Sequence, residues 1–168
     1  YETTVMDGTP LFNLVKYTLP GCKVLSFKGI LNSTTNFILE EMEKGYDFNS
    51  SVAEAQRRGF AEADPYLDIE GFDAAAKTAA LINVLMKKSI TPLQIDRTGI
   101  SNISLDEINT ARKENKRIKL LCEGYIKNDI AYGKVHPIYV SNGDLFSTID
   151  STTSIISINT DLMGEVSI

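Results

Sequence analysis

Residues 117–143, RIKLLCEGYIKNDIAYGKVHPIYVSNG, change the period of the chain. Segments 118–126 and 130–140 read as strands, and Asn128-Asp129 between them is a turn pair. Two more strands follow at 153–159 and 165–168, with Asn142-Gly143 and Met163-Gly164 as turn signals. Upstream the signals are mainly helical. Gly8-Thr9-Pro10 opens a helix to Thr18, with Thr9 as cap and Pro10 in the first helical position. Segment 22–30 is an early strand. The cap cluster Asn32-Ser33-Thr34-Thr35 precedes a helix over 36–44, which Gly45 ends. Ser51 and Glu54 have capping-box spacing for a helix over 51–58, with Gly59 as its stop. Segment 72–88 is a long apolar helix, and Ser104 caps another over 105–114. Helices first and antiparallel strands later predict one α+β domain over 1–168. It is a two-layer sandwich, with helices on one face of a mostly antiparallel or mixed sheet.

Composition narrows the function. With 168 residues, 43% hydrophobic and 23% charged, the chain can bury a core of its own. A net charge of −5 makes no case for nucleic acid or an anionic membrane. No apolar run reaches the roughly 18 residues that a membrane span needs. The two cysteines, Cys22 and Cys122, are far apart and away from the single His136, which predicts no zinc site and a reduced, cytoplasmic setting. No G-x-G-x-x-G is present. The chain opens at Tyr1 without an initiator Met, which predicts a piece of a longer polypeptide.

The stretch 59–77, GFAEADPYLDIEGFDAAAK, carries the candidate chemistry. It holds five carboxylates (Glu62, Asp64, Asp68, Glu70, Asp73) and no basic residue before Lys77. Asp73 and Lys77 are four apart and share a helix face that continues into Ala80, Leu81 and Val84. The plain reading is a helix ion pair beside a solvated acidic loop. The functional reading is a partly desolvated amine that moves a proton, among carboxylates that bind an ammonium group and a hydroxyl.

The long stretch 29–85, GILNSTTNFILEEMEKGYDFNSSVAEAQRRGFAEADPYLDIEGFDAAAKTAALINVL, resembles the catalytic domain of homoserine dehydrogenases. The family pattern reads about G-I-L-N-G-T-T-N-[YF]-I-L, then A-E-A-Q-x-x-G-[YF]-A-E-x-D-P-x-x-D-[IV]-x-G-x-D-A-x-x-K. YETTVMDGTP, the GI of RTGISNISLDEI, HPIY and INTDLMGEV resemble flanking family segments, so nearly the whole chain is covered.

The resemblance implies NAD(P)-dependent interconversion of L-homoserine and L-aspartate 4-semialdehyde, a step toward threonine and methionine. It matches Lys77 to the family's general acid/base, and Glu62, Asp68, Asp73 and Thr34 to its substrate-binding residues. It matches Gly59 to a glycine beside the nicotinamide. It also implies a sodium site at Glu2, Val5, Asp7 and Thr9, held mainly by backbone carbonyls. The NAD(P) cofactor would be bound mainly by a Rossmann-type domain of the same polypeptide that this chain lacks. That domain also carries a second catalytic lysine, so the isolated chain is expected to be inactive. A homodimer through the sheet is implied as well. Asp7 stands where the family has a small residue, and Ser33 where it has glycine.

Other residues have plainer readings. His136 is expected to be structural, at a sheet end, and the cysteines to be small buried hydrophobes. The basic run 113–119 reads as a solvated helix end. A non-catalytic amino-acid-binding or oligomerisation module of the same fold, or a related two-domain reductase, would share the pattern. Turnover on homoserine and substrate profiling separate them.

Overall fold

The computed structural model describes residues 3–168. Two helices, α1 (Thr3–Met6) and α2 (Leu11–Thr18), lead into the strand β1 (Val24–Ile30). Four helices follow, α3 (Ser33–Glu43), α4 (Phe48–Arg57), α5 (Tyr66–Ile69) and α6 (Phe72–Leu85). Next come β2 (Asp96–Arg97), α7 (Leu105–Lys113), β3 (Lys116–Lys127), β4 (Ile130–Ser141), β5 (Ile155–Thr160) and β6 (Gly164–Ser167). The sheet runs β2-β4-β3-β1-β5-β6. Among the described residues β2 and β4 pair in parallel and the other pairings are antiparallel, so the sheet is mixed, in an α+β fold. No helix among the described residues is long and apolar enough to cross a membrane.

The β3–β4 hairpin forms as the sequence predicts. Asn128 and Asp129 have φ of 51° and 63°, the left-handed pair that a two-residue turn between twisted strands requires. Helices cover one face. Its core includes Phe27, Phe37, Leu81, Ile82 and Ile118. Two glycines on this face, Gly124 and Gly133, lie opposite each other in the hairpin. A Cβ at Gly124 would sit 2.3 Å from the Phe27 ring, and one at Gly133 would sit 2.4 Å from Ile95. Their bare backbone lets these side chains press onto the sheet. The other face carries a smaller cluster, Ile30, Leu121, Val140, Phe146 and Ile155, with the 3₁₀ turn Leu145–Thr148 supplying Phe146. Nearby, Lys28 and Glu123 pair at 2.9 Å.

Several local expectations change. Pro10, not Thr9, takes the cap position of α2, and among the described residues no side chain makes a cap hydrogen bond there. Asp47 caps α4 by accepting from Ser50 N at 2.9 Å. Ser51 lies inside that helix, fully buried, with its hydroxyl donating to Asp47 O. Glu54 is occupied by Arg57 and Arg58 instead of a cap. The helix α3 starts earlier than predicted, because Asn32 is its cap. Ser33 is helical, with no positive φ, so nothing at this position demands glycine. The helix α6 ends at Leu85, where Asn83 makes two hydrogen bonds to the backbone of Ile90 and turns the chain away. Asn142-Gly143 does not join paired strands, since β5 crosses to pair with β1.

The basic run is a solvated helix end only at Lys113, the exposed last residue of α7. Arg117 and Lys119 belong to β3 and are largely buried. Arg117 grips Glu43 through Nε at 2.9 Å and Nη2 at 2.6 Å, and also pairs with Asp150. The Lys119 ammonium donates to Asn36 Oδ1 at 2.9 Å and to Ile149 O. Charge at 117 and 119 thus ties β3 to α3 and to the 149–151 loop. His136 lies within β4, not at a sheet end, with Nε2 3.2 Å from Asp96 Oδ2 but without hydrogen-bond alignment.

Candidate active site

The site forms where β1 ends and three helix starts converge. After Ile30 the chain extends through Asn32, at φ −123° and ψ 108°, and enters α3. The Asn32 side chain accepts from Thr35 N at 2.8 Å and from Thr35 Oγ1 at 2.9 Å, which is ordinary capping. Its amide nitrogen points the other way. It donates to Asp68 Oδ1 at 2.7 Å and to Asp73 Oδ2 at 3.0 Å. Asp68 lies on α5 and Asp73 in the first turn of α6, where a carboxylate favours the helix dipole.

Lys77 follows one turn along α6. Its Nζ is 2.9 Å from Asp73 Oδ2 and 3.0 Å from Leu31 O. Its side chain is 22% exposed, against 35% for Asp73, so the pair is neither sealed nor free in water. The stem rises from a face of α6 whose neighbours Ala74, Thr78 and Leu81 are buried.

The α5–α6 junction is braced from below. Gly71, at φ 75°, makes the turn that aims Asp73 inward. Arg97 stacks on the Phe72 ring at 3.6 Å and donates to Glu70 O. Ile100 N donates to Ile69 O at 2.8 Å. Beneath lies Cys122 of β3, 3.9 Å from Ala74 O, its thiol pushed up to about 12 by burial.

Not every predicted residue joins the cluster. Asp68, Asp73 and Lys77 come together. Glu62 is exposed, and among the described residues its side chain has no hydrogen-bond or ion-pair partner; its carbonyl accepts from Gln56 at 3.2 Å. Asp64 turns back to Tyr66 N at 3.1 Å. Thr34 Oγ1 donates to Phe60 O at 2.9 Å and so fastens the 59–65 loop to α3. Gly59, at φ 75°, ends α4, and a Cβ there would meet nothing within 4 Å. It therefore borders open space.

At the other end of the chain, Glu2 lies outside the described residues. Val5 is buried in α1, Asp7 is exposed at φ 47°, and Thr9 N donates to Met6 O at 2.9 Å. The described residues contain no group of three or more His, Cys, Asp or Glu that could hold a metal. Any ion at 5–9 would depend on oxygen donors of the turn.

Asn32 is the residue that sequence reasoning missed. It was visible only as a helix cap. Its acidic partners lie 36 and 41 positions away, beyond any local signal.

Fold and site define a two-layer α+β domain with a cluster of one lysine and two carboxylates at converging helix starts. The family model for homoserine dehydrogenase matches residues 10–168. An NAD(+)-dependent homoserine dehydrogenase from Pseudomonas canavaninivorans is 40% identical, over 100% of this chain and 48% of its own length. A homoserine dehydrogenase from Methanocaldococcus jannaschii is 41% identical, over 99% of this chain and 48% of its own. The crystal structure of a homoserine dehydrogenase from Thiobacillus denitrificans superposes with a TM-score of 0.94 at 32% identity, covering 99% of this chain and 39% of that one. The chain belongs to the homoserine dehydrogenase family, and it spans about half the length of those two curated relatives.

Proposed function

We propose that this chain is the substrate-binding and proton-handling part of an NAD(P)-dependent oxidoreductase that interconverts L-homoserine and L-aspartate 4-semialdehyde, in threonine and methionine synthesis. The observation that supports it most is the Lys77 amine, held between Asp73 and the Leu31 carbonyl beside a second carboxylate. Asp68 and Asp73 supply acceptors for the substrate ammonium and hydroxyl, and the exposed Glu62 closes over it from the loop. In oxidation Lys77 accepts the hydroxyl proton; in reduction its ammonium returns a proton to the oxygen. Positive charge beside that oxygen favours the developing alkoxide.

The nicotinamide, when bound, accepts or supplies the hydride. Gly59, bordered by open space, is this chain's contact to it, and the remainder of the cofactor is held outside this chain. The Val5, Asp7 and Thr9 turn, with Glu2, is the proposed sodium site, built on backbone oxygens. Two copies pair through the open sheet face in the cytoplasm.

The test uses the complete polypeptide that carries this chain. L-Homoserine with NAD+ or NADP+ is expected to yield reduced nicotinamide, and homologous alcohols without the ammonium group are expected to be poor substrates. Absence of homoserine turnover overturns the reading. A monomer by light scattering at high micromolar concentration overturns the dimer.

A further inference from the structure

We propose that Asn32 is a positioning residue that gathers the Asp68 and Asp73 carboxylates into one substrate-facing pair; the role rests on the homoserine reading above. A capping asparagine needs only its oxygen. Here Thr35 N–H and the Thr35 hydroxyl both engage Oδ1, and a backbone N–H can only donate. That fixes the amide plane and its orientation. The Nδ2 group, with two hydrogens, is thereby aimed at two acceptors from different helices, at 2.7 Å and 3.0 Å.

The arrangement answers a physical problem. Two carboxylates close together repel, and Lys77 reaches only Asp73. A neutral double donor between them offsets that repulsion without adding a cation that would compete with the substrate ammonium. It occupies Oδ1 of Asp68 and Oδ2 of Asp73. The second oxygen of each accepts no hydrogen bond from the described residues, which leaves one acceptor per carboxylate for a ligand. Asn32 is itself 6% exposed and acts through these two acids. The charged and titratable groups around it are Asp68 of α5, Asp73 and Lys77 of α6, and the Cys122 thiol of β3.

The experiment separates capping from gathering, again in the complete polypeptide. Asn32→Ser keeps a cap oxygen for Thr35 N but cannot reach both acids. Asn32→Asp keeps the shape and the cap but sets a third carboxylate among them. Asn32→Ser is expected to unfold within a few degrees of wild type and to lose about tenfold or more in kcat/KM for homoserine, mostly through KM. Asn32→Asp is expected to move the acid limb of the kcat/KM profile to higher pH, because a third negative charge favours proton retention in the cluster. Values within twofold of wild type for both variants, with an unmoved acid limb, overturn the proposal. If wild type turns over no homoserine, the functional reading falls. The gathering is then still decided by a double-mutant cycle of Asn32→Ser with Asp68→Ala, read in unfolding midpoints. Non-additive shifts support it and additive shifts overturn it.

Discussion

Lys77 Nζ lies 2.9 Å from Asp73 Oδ2 on its own helix and 3.0 Å from the carbonyl oxygen of Leu31, 46 residues earlier. The first contact follows from helical spacing. The second requires the end of β1 to meet α6. Together they hold the amine still while leaving a donor direction for a ligand.

Replacing Lys77 therefore tests the chemistry. Lys77→Ala in the complete polypeptide is expected to lower kcat by about 100-fold or more, the usual range for a lost general acid/base. Lys77→Arg keeps the charge but cannot release a proton near neutral pH, so KM should change little while kcat stays low. Steady-state kinetics with homoserine check this, and full kcat in either variant sinks the role.

Gly99 supports the site from beneath. A Cβ there would stand 2.3 Å from Ile69 O and 2.5 Å from the Glu70 Cα, both backbone atoms that cannot rotate away. Gly99→Ala is expected to cost about 1–3 kcal/mol and to displace α5 together with Asp68. The urea midpoint measures the loss. An unchanged midpoint would show that the α5–α6 junction yields more easily than its close contacts imply.

Lys119 gives a pH signature. Burial first, and then the Arg117 guanidinium, lower its pKa below the ordinary 10.5, outweighing Glu43 and Asp150. Between that lowered value and 10.5 the unfolded chain binds more protons at this site, so stability rises with pH. The penalty of burying the charge is fully present below the folded value and is relieved as pH climbs through it. The midpoint of wild type relative to Lys119→Met should therefore increase as pH climbs toward the ordinary lysine value of 10.5. A flat or falling difference contradicts it.

Cys122 should be inert. Its thiol, 1% exposed and pushed up to about 12, carries almost no thiolate at neutral pH. Iodoacetamide is expected to label the half-buried Cys22 first and to reach Cys122 only on unfolding. Mass spectrometry of native and denatured protein distinguishes the two sites.

Much of this was legible in sequence because it is local or periodic. The Asn128-Asp129 turn sets the β3–β4 register through backbone angles that few residue pairs adopt. The Ser104 cap appeared as predicted, accepting from Glu107 N at 3.1 Å. The Asp73–Lys77 pairing is written in the 3.6-residue period. Family membership was readable from the long motif at 29–85, and the model match over residues 10–168 agrees with it.

What only the tertiary structure decided were relations between distant segments. The sequence cannot say that β5 pairs with β1 rather than β4, because pairing partners are chosen by burial of the whole sheet. Nor can it distinguish the solvated cations of α7 from the buried Arg117 and Lys119, since their cost depends on whether Glu43, Asn36 and Asp150 meet them. Asn32 shows the same limit: its cap is encoded within four residues, whereas its grip on Asp68 and Asp73 exists only once three helices share one corner of the fold.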